Sequence, residues 1–144
     1  MTEKAANPVS IRACRPEDIA VVLELWRQAD ATPGVTDTAE DLRRAIADSP
    51  AHVLVAEIRG RVIGSIIGTF DGWRANIYRL AVHPDYRRQG VARTLLVEVE
   101  RRLTRQGAKR VTALVEKEHP QAMNFWEAVR YPVDERIVRR VRNL

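Results

Sequence analysis

The sequence predicts a mixed α/β (α+β) fold, with a central twisted sheet of about six to seven strands flanked by four helices. Four segments place apolar residues at helical spacing, and several short apolar runs bounded by turn residues are typical of strands. These segments follow the order β-α-α-β-β-β-α-β-α-β, which favours helices packed on a mixed sheet. A chain of 144 residues has the length of one domain, so we expect a single domain over 1–144, with a flexible N-terminus at 1–8.

One strand and two helices are predicted before residue 52. Residues 9–13 form a short strand candidate. Pro16, followed by two acidic residues, suits the first turn of a helix in which four apolar residues share one face. Thr38, with Asp41 three residues later, predicts the N-terminus of a second, shorter helix. The apolar face of the first helix consists of Ile19, Val22, Leu23 and Trp26.

The middle of the chain is predicted to form three strands. Apolar runs at 53–58 and 62–70 flank Arg59 and Gly60, a pair typical of a hairpin turn. A third run covers 77–82. Since both faces of the first two runs are largely apolar, we expect these two runs to be central strands of the sheet.

Two further helices and two further strands complete the prediction. A helix over 91–106 has one apolar face, and Gly107 suits the position just after its end. A strand at 111–115 follows, then a helix that opens at His119 and a closing strand at 133–141. Because the long helix joins two strands of one sheet, we expect those strands to be parallel, with a right-handed crossover.

Composition and charge narrow the possible classes of protein. The single Cys14 cannot form an intramolecular disulfide, and three His with one Cys show no metal-ligand spacing, so we expect no metal. The sequence has neither a signal peptide nor an apolar run near the ~20 residues of a membrane helix, so we expect a cytoplasmic protein without a membrane partner. The net charge is +5, and nearly all basic residues are Arg, which suits phosphate binding or reflects a codon bias.

The segment 78–93, YRLAVHPDYRRQGVAR, predicts an anion site. A strand ends there, a basic turn follows, and a helix begins after Gly90. The free N–H groups of a first helical turn and the helix dipole together attract a phosphate, and a glycine lets the backbone approach it. Arg87, Arg88 and Arg93 add positive charge. The sequence therefore predicts a pyrophosphate cradle, although neither GxxxxGK[ST] nor GxGxxG is present.

Three motifs in this order resemble the GNAT superfamily of N-acetyltransferases. The spacing Arg87-x-x-Gly90-x-Ala92 is similar to the family signature [RQ]-x-x-G-x-[GA]. It follows a strand that ends in LAVHP at 80–84, and it precedes a segment at 119–131 similar to N-x-x-A-x-x-F-Y-x-x-x-G-[FY]. The run at 70–90 is most similar to the small bacterial YpeA-type acetyltransferases. The resemblance covers the chain from about residue 9 to its end.

The resemblance implies acetyl-CoA as cosubstrate and direct transfer of its acetyl group to a primary amine in a ternary complex. It implies that backbone groups of the strand contact the acetyl carbonyl and pantetheine, and that the turn and helix start contact the pyrophosphate. The implied cofactor-binding residues are Leu80, Ala81, Val82, Arg87, Arg88, Gln89, Gly90, Val91, Ala92, Arg93, His119 and Trp126.

Departures from the family pattern leave the catalytic residues open. Trp126 stands where a Tyr often protonates the leaving thiolate, and an indole N–H is no acid near neutral pH. Leu114 stands where ribosomal-protein alanine acetyltransferases have a Glu base. Two further departures are His119 for an Asn and Arg130 for a helix-ending Gly. The remaining candidates for moving the proton of the amine are Tyr78, Glu116, Glu57 and His119.

Two alternatives remain at this point. A catalytically weak acetyl-CoA-binding regulatory protein is consistent with Trp126, and a nucleic-acid-binding protein is consistent with the basic charge, although we expect no nucleic-acid partner. We expect a monomer or homodimer whose acceptor is a small-molecule or protein amine. Residues 30–48 contain five acidic residues and two Arg, which gives a net charge of −3. The resemblance implies that this segment borders the acceptor groove. That segment either attracts cationic amines or simply caps helices.

Overall fold

The structure, a computed structural model, describes residues 8–144 and comprises two compact units. The first unit ends at Thr112, and the second runs from Ala113 to Leu144. The expected flexible segment 1–8 lies outside the described residues except for Pro8. Within residues 8–144, no helix combines the length and the apolar character needed to cross a membrane.

A five-stranded sheet forms the centre of the fold, in the order β1-β2-β3-β4-β5. Neighbouring strands from β1 to β4 are antiparallel. The strands are β1 Ser10–Ala13, β2 His52–Ile58, β3 Arg61–Phe70, β4 Ala75–Val82 and β5 Val111–Ala113. This mixed α/β architecture confirms the predicted fold class. The parallel, right-handed crossover from β4 to β5 stays a prediction.

Four helices accompany the sheet, as predicted. A 3₁₀ turn at Pro16–Asp18 leads into the first helix, and a second 3₁₀ turn at Pro84–Tyr86 follows β4. The helices are α1 Ile19–Gln28, α2 Ala39–Ala47, α3 Val91–Gln106 and, in the second unit, α4 Pro120–Ala128. The Thr38 hydroxyl accepts a hydrogen bond from the Asp41 N–H at 3.1 Å, which confirms the predicted helix cap.

The turn between β2 and β3 has the predicted hairpin geometry. Arg59 and Gly60 both have positive φ, +50° and +78°. Two consecutive left-handed residues match the right-handed twist of the strands they join, which makes such turns the favoured two-residue hairpins.

The sheet carries a core on each face. On one face, buried residues of α1 and α2 pack with β2 and β4, among them Trp26, Leu42, Val55 and Ala81. Cys14 lies in this core, where burial raises the pKa of its thiol to about 11. On the other face lies α3, whose buried residues are Val91, Leu95, Leu96, Val99 and Leu103.

Two glycines of β3 let α3 lie close to the sheet. A Cβ on Gly64 would lie 3.1 Å from Leu95 Cδ1 and 3.2 Å from Val91 Cγ1. A Cβ on Gly68 would clash with the Cγ2 methyl of Val99, a fully buried and stiff side chain. The glycines therefore fix the distance of α3 from the sheet.

We expect Gly68→Ala to lower the free energy of unfolding by about 1–3 kcal/mol, because the added methyl overpacks the α3 interface. Urea denaturation measures the change. The double variant Gly68→Ala/Val99→Ala removes the clash. Its loss of unfolding free energy should therefore be smaller than the sum of the losses in the two single variants. A Gly68→Ala protein as stable as the wild type would contradict this packing.

Near the C-terminus, one predicted strand is shorter than expected and another prediction was wrong. The strand predicted at 111–115 ends at Ala113, and residues 133–141 form no strand. The sheet of the described chain therefore has five strands, fewer than the six to seven predicted. Apolar residues at 133, 137, 138 and 141 do not alternate, so neither strand face would be continuously apolar. All four are exposed: Val133, Ile137, Val138 and Val141.

Candidate functional site

A bulge interrupts β4 immediately before the residues implied to contact the acetyl group. Ser65 pairs with Ala81 and Ile67 with Tyr78, so β4 has one more residue than β3 between these pairs. Within this stretch Arg79 has a φ of +53°, in the left-handed region. A bulge bends its strand and redirects the residues that follow. The end of β4 is therefore set at a different angle from its start.

The Val82 N–H lies on the edge of β4 that faces away from β3. The next residue, His83, donates its N–H to the Ile63 carbonyl of β3 at 2.8 Å. Because successive N–H groups of an extended chain point to opposite sides, the Val82 N–H points to the side of β5. A backbone donor is thus presented at the end of the bulged strand.

The start of α3 has the geometry of an anion site. Gly90 caps the helix with a φ of +79°. Thr94 donates the first helical hydrogen bond, to the Gly90 carbonyl at 3.0 Å, and its hydroxyl reinforces this contact at 2.9 Å. The N–H groups of Val91, Ala92 and Arg93 precede that first bond, so they are available to a ligand. A Cβ on Gly90 would meet no atom within 4 Å, which shows that the space above the loop is open.

The turn before α3 is curled and basic. Arg88, like Gly90, is left-handed, with a φ of +60°. Such backbone conformations turn neighbouring N–H groups inward into an anion-binding concavity. The side chains of Arg88 and Arg93 are exposed beside it. His83 holds the start of the turn, since its Nδ1 accepts the Asp85 N–H at 3.1 Å. The residues present therefore fit a phosphate group.

The candidate proton carriers of the first unit differ in what surrounds them. Tyr78 is 36% exposed and lies immediately before the bulge in the sequence. Glu57 receives a hydrogen bond from Arg12 Nε at 2.9 Å, and Arg12 also bonds Asp18 at 2.6 Å. The Arg12 hydrogen bond holds the pKa of the Asp18 carboxyl below its usual value. Glu57 thus belongs to an ion-pair cluster, whereas Tyr78 faces solvent.

The candidates of the second unit lie around the start of α4. Glu116 is exposed and follows the end of β5 by three residues, so it does not lie on that strand. His119 caps α4, with Nδ1 accepting the Ala122 N–H at 3.2 Å. That contact occupies one of the two ring nitrogens, at the residue where the sequence predicts that the helix opens.

Trp126 belongs to an aromatic cluster in the second unit. Its ring meets the edges of Phe125 and Tyr131, with ring centroids 5.3 Å and 4.8 Å away. The Tyr131 N–H donates to the Trp126 carbonyl at 2.8 Å, across the left-handed Arg130, whose φ is +68°. Arg130 therefore keeps the backbone conformation of the glycine that the family motif has at this helix end.

We expect Arg130→Gly to raise the free energy of unfolding by about 1 kcal/mol, because a left-handed residue with a Cβ is strained. Arg130→Ala keeps the strain and should not raise the free energy of unfolding, which makes it the matched control. Thermal unfolding of the three proteins measures the difference. A glycine variant no more stable than the alanine variant would show that the strain is absent.

A buried contact network was missed by sequence reasoning. Ser65, fully buried, accepts the Trp26 indole N–H at 2.9 Å and donates to the Arg79 carbonyl at 3.0 Å. The Arg79 side chain donates to the Asp37 carboxylate at 2.6 Å. A single signal was available in the sequence: a Ser and an Arg interrupt otherwise apolar strands.

The acidic segment at 30–48 is largely paired. Asp37 pairs with Arg79, Glu40 pairs with Arg44 at 2.8 Å, and Asp41 contacts the Thr38 hydroxyl. Three of its five acids thus have a partner, but only Arg79 brings a positive charge from outside the segment, since Arg44 is already counted in its net charge and Thr38 is neutral. Within residues 8–144, this segment included, no three His, Cys, Asp or Glu residues lie together as metal ligands would.

Comparison with known proteins agrees with the motifs. Residues 20–130 match the model of the Acetyltransferase (GNAT) family. The chain belongs to the GNAT family. Among curated GNAT relatives, an acetyltransferase of Sodalis glossinidius is 32% identical over 90% of this chain and 92% of its own length. One of Pectobacterium atrosepticum is 32% identical over 85% of this chain and 87% of its own length. The protein is a GNAT-family N-acetyltransferase, and the resemblance stated from the motifs is confirmed.

Solved structures share the GNAT fold at lower identity. The PaiA N-acetyltransferase of Thermoplasma acidophilum, in complex with coenzyme A, matches with a TM-score of 0.78 and 19% identity, over 89% of this chain and 92% of that one. An aminoglycoside acetyltransferase from an uncultured soil metagenomic sample, in complex with sisomicin, matches with a TM-score of 0.74 and 20% identity, over 94% and 96%. The ribosomal-protein-S18-alanine N-acetyltransferase of Escherichia coli matches with a TM-score of 0.72 and 19% identity, over 85% of this chain and 77% of that one.

Proposed function

We propose that this GNAT protein transfers the acetyl group of acetyl-CoA to a primary amine by direct attack in a ternary complex. The observation that carries the proposal is the curled, basic turn with Gly90 at the start of α3, placed after the bulged strand β4. When bound, acetyl-CoA supplies a thioester that an amine can attack. The coenzyme A complex of the PaiA enzyme supports the choice of cosubstrate.

The cofactor-binding residues we propose are those expected from the sequence. The unpaired N–H groups at the start of α3 would hold the pyrophosphate, and exposed Arg side chains would add charge-assisted contacts. The backbone of β4 after the bulge would hold the pantetheine and acetyl end. The set is Leu80, Ala81, Val82, Arg87, Arg88, Gln89, Gly90, Val91, Ala92, Arg93, His119 and Trp126.

The Val82 N–H is the proposed donor to the acetyl carbonyl. It points away from β3, so its donation does not compete with a hydrogen bond to that strand. A fixed backbone donor stabilises the negative charge that develops on a carbonyl oxygen under attack. The amine must also lose a proton. Among Tyr78, Glu57, Glu116 and His119 we favour Tyr78 as a relay, whose hydroxyl would accept the amine proton while passing its own proton to solvent water. Tyr78 is exposed beside the bulge, whereas Glu57 is ion-paired with Arg12.

The leaving thiolate needs little help from an acid. A thiol pKa near 8.5 makes thiolate a tolerable leaving group at neutral pH. Trp126, which replaces the usual Tyr, is held in an aromatic cluster and donates no proton. General acid catalysis is typically worth ~10²–10⁴-fold, and we expect its absence at this position to cost only the low end of that range.

We further propose the YpeA-type class, a cytoplasmic location, and a monomer or homodimer without nucleic-acid or membrane partners. The identities with the curated bacterial acetyltransferases support an enzyme over the regulatory alternative. That alternative rested on Trp126 alone.

An acceptor screen tests the proposal. The purified protein is incubated with acetyl-CoA and spermidine, sisomicin, an alanine-initiated peptide or a lysine-containing peptide, and released thiol and acetylated product are followed. The last three acceptors sample small-molecule, α-amine and ε-amine groups. We expect stoichiometric thiol and N-acetyl product with at least one class of amine. Acetyl-CoA binding without transfer to any of them would favour the regulatory alternative.

A further inference from the structure

Arg79 forms hydrogen bonds through both its main chain and its side chain. Its carbonyl accepts the Ser65 hydroxyl at 3.0 Å, and its guanidinium donates to Asp37 at 2.6 Å. Its Cζ also lies 5.3 Å from the centre of the Trp26 ring. None of these contacts belongs to the cofactor turn or to the candidate proton carriers, so the function proposed above does not yet use them.

The hydroxyl of Ser65 fixes the carbonyl of the bulge. A hydroxyl has one proton, so Ser65 donates to Arg79 and accepts from Trp26 Nε1, which is 2.9 Å away. Ser65 is 0% exposed, and water does not replace either contact. The bulge of β4 is thereby attached to β3 and α1 in one orientation.

The guanidinium of Arg79 fixes the loop between α1 and α2. Asp37, its partner, also accepts the Gly34 N–H at 3.0 Å, and the Asp37 N–H donates to the Gly34 carbonyl at 3.1 Å. The Arg79 and Asp37 side chains are only 23% and 17% exposed, which limits screening of their pair. Hydrogen bonds between Gly34 and Asp37 thus stabilise the loop, and the Arg79 side chain links it to the bulge.

We propose that Arg79 is a positioning residue that couples this loop to the bulge, so that the loop forms a fixed wall for the acceptor amine. The inference rests on the proposed transfer reaction. The cofactor turn leads into α3 on one face of the sheet, whereas Trp26 and the Arg79–Asp37 pair lie on the opposite face. An acetyl group held at the end of β4 is therefore open to an amine from the side that the loop borders.

Arg79→Gly separates the side-chain role from the backbone role. Glycine adopts a φ of +53° without strain, so the bulge and the Ser65 hydrogen bond are kept while the link to Asp37 is lost. We expect acetyl-CoA affinity to stay within about twofold. We expect kcat/KM for the amine to fall about ten- to a hundredfold, since a slightly misplaced acceptor reacts slowly. A side chain that only stabilised the fold would leave kcat/KM unchanged in this variant.

Asp37→Asn tests the same link from the loop side. It should lower kcat/KM for the amine as Arg79→Gly does, and combining the two should add little further loss. Glu40→Gln is the matched control, because it removes one negative charge from the same segment, where Glu40 contacts Arg44 and not Arg79. The fastest acceptor of the screen serves as the probe in all assays.

Amide hydrogen exchange in the protein without cosubstrate gives a readout independent of transfer. In both Arg79→Gly and Asp37→Asn, the amides of Gly34 and Asp37 should exchange about tenfold faster than in the wild type, while Glu40→Gln should not differ. Unchanged exchange overturns the coupling, whether or not the protein transfers acetyl groups. Faster exchange with unchanged kcat/KM overturns the positioning role. Failure of the wild type with every amine refutes the proposed function and, because the wall has no acceptor to place, this role as well.

Discussion

Gly90→Val should abolish measurable acetyl-CoA binding, with a loss of affinity of about a hundredfold or more. Gly90 caps α3 with a φ of +79°, and the space above it is open. A valine there would stand where the phosphate must approach the N–H groups of the helix start. Charged hydrogen bonds of this kind contribute about 1.5–3 kcal/mol each, so losing two of them accounts for the expected change.

Gly60→Val is the control for backbone strain. Gly60 lies in the β2–β3 turn with nearly the same φ, +78°, and a Cβ on it would likewise meet no atom within 4 Å. Both variants should lose about 1–2 kcal/mol of stability, because each places a β-branched residue in the left-handed region. Isothermal titration with acetyl-CoA should separate them. Affinity of Gly90→Val within about threefold of the control would place the phosphate elsewhere.

Val82→Pro should lower kcat by about 10²–10³-fold while the protein stays folded. Proline removes the backbone N–H that we propose as donor to the acetyl carbonyl. Because this N–H points away from β3, its loss breaks no hydrogen bond to that strand. Acetyl-CoA affinity should change little, since the phosphate contacts are untouched.

Val82→Ala is the control for the lost side chain, because it keeps the N–H. Circular dichroism establishes that both variants fold, and steady-state thiol release gives kcat with the best amine. Equal kcat values for the alanine and proline variants would rule out the Val82 N–H as the donor.

The long elements of the fold were predictable because their apolar spacing is local. The helix expected at 91–106 is α3 with the same bounds, and the runs at 53–58 and 62–70 are β2 and β3 with one more residue at their N-terminal ends. The strand expected at 133–141 was wrong, since a strand needs a pairing partner that the sequence does not reveal. Its apolar residues also lack alternation.

The candidate site likewise has one part that could be predicted from the sequence and one part that could not. The anion cradle at 87–93 is contiguous, so turn chemistry and charge were enough to predict it. The network around Arg79 joins residues far apart in sequence: Trp26 and Ser65 are 39 residues apart, and Asp37 and Arg79 are 42 apart. Such contacts depend on the packing of α1 on the sheet, which one sequence does not specify. The left-handed φ of Arg79 was equally hidden, because no glycine marks it.

Thermal unfolding with and without acetyl-CoA tests the central claim, that the turn before α3 and the end of β4 form an acetyl-CoA site. Acetyl-CoA at about a hundred times its dissociation constant should stabilise the protein by about 2.7 kcal/mol, and CoA should act similarly because most contacts are to phosphate and pantetheine. Inorganic pyrophosphate at the same concentration should stabilise it much less. No shift with millimolar acetyl-CoA, or an equal shift with pyrophosphate, would contradict the account.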